Sequence, residues 1–323
     1  MIHHHIREAY QRIKPYIVKT PLAYSPLLSD MTGSEVYLKC EHTQHTGSFK
    51  LRGALSKATA LPTDIKERGI ITASSGNHGM AVSLAGKITG MKARIYVPES
   101  ISPAKEKTIL ALGGELVKVP GSSLDAELTA AKVAADESLP FISPYNDDDI
   151  IAGQGTIGLE ILEQWDSLGL SSPCDALYAS VGGGGLISGI GGFMAEYSPQ
   201  TAIVGCWPAN AAAMADCLDK GEIYNVVESD TISDGTAGGV EPGAVTFEHC
   251  QRYLNRHQRV SEDEIIAAMK LLADQERWIV EGAAGVALAS FLKEAATGVM
   301  KDKSVVIVLC GRNIAFDKFL SLM

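Results

Sequence analysis

Four consecutive glycines, Gly182 to Gly185, stand between an apolar run, Ala176-Leu177-Tyr178-Ala179-Ser180-Val181, and a segment of helical spacing that begins near Leu186. Backbone N–H groups free of side chains and aimed from a helix N-terminus make a nest for an anion. A phosphate fits such a cradle; a tight turn without a ligand is the alternative reading. The order strand, glycine turn, helix is also the grammar of a parallel α/β sheet, because parallel neighbours need a crossover that a helix supplies. Two nucleotide signatures that share this grammar are missing. Ile187 and Ser188 occupy the places where a dinucleotide fingerprint needs its last glycine, and no lysine follows as in a Walker A loop. That argues against a nicotinamide-dependent dehydrogenase.

The same grammar recurs. Ile70-Ile71-Thr72-Ala73 leads to a helix over Met80 to Ile88, and Ala93-Arg94-Ile95-Tyr96-Val97 to one over Pro103 to Leu112, with proline at a first helical position that needs no N–H. Glu115-Leu116-Val117-Lys118-Val119 leads to a third over Leu124 to Ala135. These predict a small α/β domain over residues 54–146, with helices on both faces of a parallel sheet. A larger domain takes residues 1–53 and 147–323. It comprises a helix over Ile6 to Ile13, an extended Thr20-Pro21-Leu22, a strand at Val36 to Lys39 and a helix over Ile151 to Trp165. Further strands follow at Ala176 to Val181, Thr201 to Cys206 and Ser304 to Leu309. Ser261-Glu262-Asp263-Glu264 reads as a capping box opening a helix, and the small-residue stretch Gly282 to Ala296 as a tightly packed one. A chain of 323 residues has room for two such domains around one cleft.

Composition then narrows the partners. With 38 acidic against 28 basic residues the formal charge is −10, which leaves no basic stripe for nucleic-acid phosphates. A small molecule is the expected partner. The six cysteines are scattered without a C-x-x-C pair and read as reduced thiols of a cytoplasmic protein. No apolar run approaches membrane-spanning length, and the start of the chain lacks the apolar core of a signal peptide. The tract His3-His4-His5 reads as part of a flexible terminus with no fixed metal geometry.

Chemistry concentrates in Thr46-Gly47-Ser48-Phe49-Lys50-Leu51-Arg52-Gly53-Ala54. A lysine among small residues ahead of a helical run is either an amine held inside a site or one that reaches back to solvent from a helix start. A desolvated amine is neutral enough to condense with a carbonyl as a Schiff base. Ser74-Ser75-Gly76-Asn77-His78-Gly79, after the strand Ile70 to Ala73, offers two hydroxyls, an amide and a helix N-terminus, which suit a carboxylate or serve as a plain N-cap.

Lysine, polar Gly-Asn turn and tetraglycine loop, in that order, resemble the fold type II family of pyridoxal-phosphate enzymes, and within it the threonine/serine dehydratases and serine racemases. The likeness runs from Thr20-Pro21-Leu22 to Cys310-Gly311-Arg312-Asn313. It implies a tryptophan synthase β-like α/β fold, two three-layer parallel-sheet domains with the site between them, and usually a homodimer. It further implies that Lys50 holds pyridoxal phosphate, with Phe49 against one face of its ring and Gly235 against the other, and that Asn77 bonds its 3′ oxygen. Gly182, Gly183, Gly184, Gly185 and Leu186 would hold its phosphate. Cys310 would stand beside the pyridine nitrogen as a neutral partner, with the carboxylate of Glu281 near the ring's edge. Ser74, Ser75, Gly76 and His78 would bind the substrate carboxylate, with Ser75 on the face opposite Lys50. One departure concerns the family's divalent-cation site: in Cys206-Trp207-Pro208-Ala209-Asn210-Ala211-Ala212-Ala213, Trp207 and Ala213 stand where carboxylates are expected, so no metal is expected and packing of Trp207 replaces it.

The activity implied is loss of water from a β-hydroxy-α-amino acid to give an aminoacrylate, whose release and hydrolysis give a 2-oxo acid and ammonia. L-threonine is the first substrate expected and L-serine the second. Thr236-Ala237-Gly238-Gly239 leaves room for a bulkier substrate such as 3-hydroxyaspartate, phenylserine or a hydroxyectoine-derived amino acid. Amino-acid racemisation through Ser75, and after it a β-replacement synthase, are the alternatives.

Overall fold

The structure, a computed structural model, describes residues 2–323. In chain order its first elements are α1 (Ile2–Ile13), β1 (Leu22–Tyr24), α2 (Pro26–Thr32), β2 (Glu35–Lys39), α3 (Lys50–Ala60) and α4 (Thr63–Arg68). Then come β3 (Ile70–Ala73), α5 (Asn77–Thr89), β4 (Ala93–Pro98), α6 (Pro103–Ala111), β5 (Glu115–Val119), α7 (Ser123–Asp136) and α8 (Asp148–Ser167). β6 (Ala176–Ser180), α9 (Gly185–Tyr197), β7 (Ala202–Pro208), α10 (Ala213–Lys220), α11 (Val245–Tyr253) and β8 (Arg256–Val260) follow, and α12 (Glu262–Leu271), α13 (Gly282–Ala295), β9 (Ser304–Val308) and α14 (Phe316–Leu322) end the chain.

Six strands form one sheet in the order β1-β2-β9-β6-β7-β8, and three form another in the order β3-β4-β5. All pairs are parallel except β1 with β2, where the chain turns back at the sheet's edge. The small sheet shows how strand alternation sorts the core. Ile70, Ile95 and Val97 pack with Met80, Val82, Ala85 and Ile109 of α5 and α6. Ile71 and Tyr96, pointing the other way, meet the alanine stripe Ala126, Ala130 and Ala134 of α7. In the large sheet α13 is buried from Gly282 through Phe291, as its small residues predict, and Ser261 and Glu264 form the expected capping box.

Three differences from the sequence reading have physical causes. Residues His3 to His5 belong to α1, not to a flexible terminus: Ile6, Ala9 and Ile13 share one buried helical face, and His5 Nε2 lies 2.9 Å from Asp149 Oδ1. β8 was missed because Arg256-His257-Gln258-Arg259 is polar; it is an edge strand held by β7 and by Arg259 pairing with Asp216 and Asp219. And α3 runs unbroken through residue 53, with Leu51, Ala54, Leu55 and Ala58 packed into the core of the small sheet, so the expected division at 53/54 falls within a helix.

A fully buried ion cluster fixes the start of α3. Arg52 donates to both oxygens of Glu41 at 2.8 and 2.9 Å and to both of Glu160 at 2.8 Å, while Lys39 donates to Glu160 and to the Thr20 carbonyl at 2.7 Å each. Two cations meet two carboxylates, and the close hydrogen bonds offset the desolvation that burial of charge demands.

Candidate active site

The strand order places the functional loops. β2, β9 and β6 are neighbours, so the segments leaving their C-terminal ends emerge together: Thr46 to Lys50, Cys310 to Asn313 and Val181 to Gly185. Phe49 N–H donates to the Cys310 carbonyl at 3.1 Å and Arg312 N–H to that of Gly47 at 2.9 Å, stitching the first two. From the small sheet, the end of β3 presents Ser74 to His78 across the cleft. The C-terminal edge of a parallel sheet is where ligands of open α/β folds bind. Here it encloses a cavity of about 700 Å³, lined by every residue singled out from the sequence as catalytic, cofactor-binding or substrate-binding.

Lys50 is the first residue of α3, and its Nζ donates to the Pro144 carbonyl at 2.8 Å. Burial lowers its pKa from 10.5 to about 8, against the opposing pull of Cys310 and Glu281. About a tenth of the amine is therefore neutral at pH 7, far more than for an exposed lysine. Its Nζ lies 5.2 Å from the centroid of the Phe49 ring.

Across the cleft, Gly76 caps α5, and the Ser74 carbonyl lies so close that a Cβ on Gly79 would stand 2.0 Å from it. Only glycine fits there. Ser74 Oγ accepts from the Gly76 N–H at 3.1 Å, while the Ser75 hydroxyl has no such bond among the described residues. The first N–H groups of α5 have no helical acceptor. The His78 ring is occupied: its Nε2 donates to the Ile142 carbonyl at 2.9 Å, and burial with nearby Lys50 pushes it down to about 3. The backbone N–H of His78, in the first turn of α5, remains without a helical acceptor.

On the other wall Gly184, in the left-handed region at φ +89°, caps α9, and Gly182 to Gly185 line the cavity. Gly183 faces Tyr145: a Cβ there would come within 2.3 to 2.5 Å of three ring atoms. The Tyr145 hydroxyl accepts from the Glu241 N–H at 3.0 Å. Tyr145 lines the cavity and was not picked out in the sequence, although Ser143-Pro144-Tyr145-Asn146, a turn just ahead of the Asp147 cap of α8, marks a fixed loop.

Glu281 caps α13 and sits between Asn77, whose Nδ2 lies 2.9 and 3.0 Å from its two oxygens, and the Asn313 N–H at 3.1 Å. Burial pushes its carboxyl up to about 7, helped by Asp234 and opposed by the hydrogen bonds from Asn77 and Asn313 and by Lys50. Cys310 Sγ accepts from Ser180 Oγ at 3.4 Å, and burial together with Glu281 pushes the thiol well above its ordinary range, so it stays neutral. A side chain on Gly235 would meet Ala283 at 3.5 Å and Glu281 at 3.7 Å. Trp207 is buried, its ring over Gly205 and edge-on to His257 at 5.8 Å; among the described residues no group of three or more His, Cys, Asp or Glu is placed to hold a metal.

Pyridoxal phosphate carries a phosphate, an aldehyde, a phenolic oxygen and a pyridine nitrogen. A side-chain-free amide nest, a desolvated lysine, an asparagine amide and a neutral thiol in one cavity fit those groups. The comparisons agree. A family model described as pyridoxal-phosphate dependent enzyme matches residues 13–311. The L-threonine ammonia-lyase of Thermotoga maritima is 37% identical over 310 residues, 96% of this chain and 75% of the relative. Among solved structures, the processed form of threonine deaminase isoform 2 from Solanum lycopersicum superposes with a TM-score of 0.94 at 32% identity, over 100% of this chain and 92% of that one. Maize serine racemase does so at 0.91 and 30%, over 99% and 95%. The chain belongs to the pyridoxal-phosphate-dependent enzyme family, in its fold type II branch.

Proposed function

We propose that the enzyme converts a β-hydroxy-α-amino acid, L-threonine first and L-serine second, to a 2-oxo acid and ammonia. The observation that carries this reading is the amine of Lys50, buried in the same cavity as the glycine nest and the start of α5, where desolvation lowers its pKa. When bound, pyridoxal phosphate supplies the electron sink that makes the α-proton acidic and the β-hydroxyl able to leave. The chain supplies the rest. Gly182 to Leu186 would hold the phosphate, Phe49 and Gly235 would flank the ring, and Asn77 and Cys310 would meet its phenolic oxygen and nitrogen. Ser74, Ser75 and Gly76, with the backbone N–H of His78, orient the substrate carboxylate, and Lys50 Nζ takes the α-proton. Cys310, kept neutral by burial, would offer the ring nitrogen no negative charge to hold a proton there. Water leaves at the β-carbon and is returned when the resulting imine hydrolyses, so the net loss is ammonia.

Racemisation is the second reading, favoured by the unbonded Ser75 hydroxyl in the cavity wall and by the likeness to maize serine racemase. Residues 54–146 act as the smaller domain, joined to the larger through α3. No divalent cation binds at Trp207 to Ala213, and family resemblance supports a cytoplasmic homodimer, which light scattering tests. The deciding assay is 2-oxo acid release from L- and D-serine, L-threonine, 3-hydroxyaspartate and phenylserine, with and without chelator, while chirality is followed. Oxo acid formed at a rate unchanged by chelator supports the proposal. Inversion without oxo acid overturns it in favour of a racemase.

A further inference from the structure

The acceptors and donors around Asn77 can be worked out from one backbone carbonyl. Thr46 O can only accept, and it lies 2.8 Å from the Asn313 amide, so Asn313 turns Nδ2 toward it. The other hydrogen of that nitrogen then points at Asn77, 2.6 Å away, which must answer with Oδ1. Asn77 Nδ2 is thereby turned to Glu281, whose two oxygens at 2.9 and 3.0 Å are too close together to engage two diverging amide hydrogens. They share one, and the second stays free in the cavity wall. Glu281 imposes the same orientation independently, since a carboxylate has nothing to donate, and it is held in turn by the Asn313 N–H at 3.1 Å. There is no slack behind it: a Cβ on Gly311 would stand 2.3 Å from Glu281 Oε1, and one on Gly47 would stand 2.7 Å from Asn313 Oδ1.

We propose that Asn313 and Glu281 are positioning residues that clasp the Asn77 amide across the cleft, so that its free N–H is presented to the phenolic oxygen of pyridoxal phosphate. The inference rests on the reading of the site given above and adds Asn313, a residue at the rim of the cleft with no assigned role. It also explains how a side chain from the small sheet is kept in register with a cofactor anchored on the large one. Four segments far apart in sequence, at Thr46, Asn77, Glu281 and Asn313, meet in one chain of hydrogen bonds.

The test reverses the clasp without removing it. When Asn313→Asp is combined with Glu281→Gln, the carboxylate introduced by the first change accepts from Asn77 Nδ2 and the amide introduced by the second donates to Asn77 Oδ1. The Asn77 amide is then held the other way round, while Asn313→Asp forfeits the hydrogen bond to the Thr46 carbonyl. The dissociation constant for pyridoxal phosphate is measured by titrating cofactor-free protein at pH 8.5, and the melting temperature of the same cofactor-free samples is recorded. Glu281→Gln alone should bind close to parent, because Asn313 still sets the amide. The reversed pair should melt no lower than Asn313→Asp alone yet bind about tenfold or more weakly than the parent, as an acceptor now faces an acceptor. A reversed pair that binds within threefold of the parent, or a loss no greater than the product of the two single variants, overturns the inference. If the reversed pair does not fold, Glu281→Gln with Asn313→Ser removes both constraints; a dissociation constant within twofold of Glu281→Gln alone then overturns it, and a rise of about fivefold or more supports it. A parent chain that takes up no pyridoxal phosphate overturns the reading of the site itself, whereas variants that match a binding parent overturn only the clasp.

Discussion

Replacing Gly183 by alanine is the sharpest probe of the phosphate cradle. The added methyl carbon would sit 2.3, 2.4 and 2.5 Å from Cδ1, Cγ and Cε1 of Tyr145, where a relaxed carbon contact needs about 3.5 to 4.0 Å. The ring must retreat by more than an ångström or the loop must open. Neither is easy. The phenol is tied to the Glu241 N–H at 3.0 Å, and the Tyr145 backbone itself would lie 3.0 Å from a side chain on Gly185, so the residue cannot slide along the loop. Overpacking of this kind costs about 1–3 kcal/mol, and loss of the phenol's hydrogen bond adds about 1 kcal/mol. If the loop absorbs the whole strain, the phenol's hydrogen bond is kept and pyridoxal phosphate binding weakens by about 5- to 140-fold.

The assay is a titration of cofactor-free protein followed by absorbance, repeated in Tyr145→Ala and in the double variant. Because the clash needs the ring, Tyr145→Ala should rescue Gly183→Ala, with a coupling of about 1–3 kcal/mol in the double-mutant cycle. Cofactor affinity in Gly183→Ala within threefold of parent, or a double variant no better than additive, would refute the reasoning, since it would mean that the ring is free to leave the loop.

Other outcomes follow from the same geometry. Lys50→Ala should abolish both the covalent cofactor absorbance and nearly all turnover, and survival of activity would remove the central assignment. Because burial lowers the Lys50 amine from 10.5 to about 8, its neutral fraction rises with pH, from about a tenth at pH 7 to half at pH 8. Covalent uptake of pyridoxal phosphate by the cofactor-free chain should therefore speed up about fivefold over that interval and level off above pH 9, by stopped-flow absorbance; a flat or falling profile counts against a buried neutral amine. Arg52→Met leaves Glu41 and Glu160 buried with only Lys39 to face them, and should cost about 3–5 kcal/mol in denaturant unfolding. A loss below about 1 kcal/mol would show that water or a proton reaches the pair.

The central strands of the large sheet were legible because a strand covered on both faces is a continuous apolar run, as in Ser304-Val305-Val306-Ile307-Val308 or Ala176-Leu177-Tyr178-Ala179. The edges of that sheet were not. β1 follows Pro21 and lasts three residues, and β8 opens with four polar ones, so neither carries the signal. Helix starts were read late for a related reason. α5 begins at Asn77, not Met80, because Asn77-His78-Gly79 has poor helix propensity and is held by the cap and by the close fit of Gly79 on Ser74, which is tertiary information.

The site divides along the same line. Lys50, the Ser74 to Gly79 turn and Gly182 to Gly185 were readable because each chemistry is local: one short stretch supplies the reactive group and the small residues that let a ligand approach. Arg52, Tyr145 and Asn313 have no such local mark. Arg52 matters because Glu41 and Glu160, far apart in sequence, close on it; Tyr145 matters because α9 begins beneath its ring; Asn313 matters because β9 lies between β2 and β6. Had β9 been placed elsewhere in the sheet, Cys310 and Asn313 would have left it away from Lys50, and Asn77 would have faced Glu281 without the donor that fixes its amide. The reactive groups are written in the chain, but their orientation is a property of strand order, and strand order is set by which apolar faces the helices must cover.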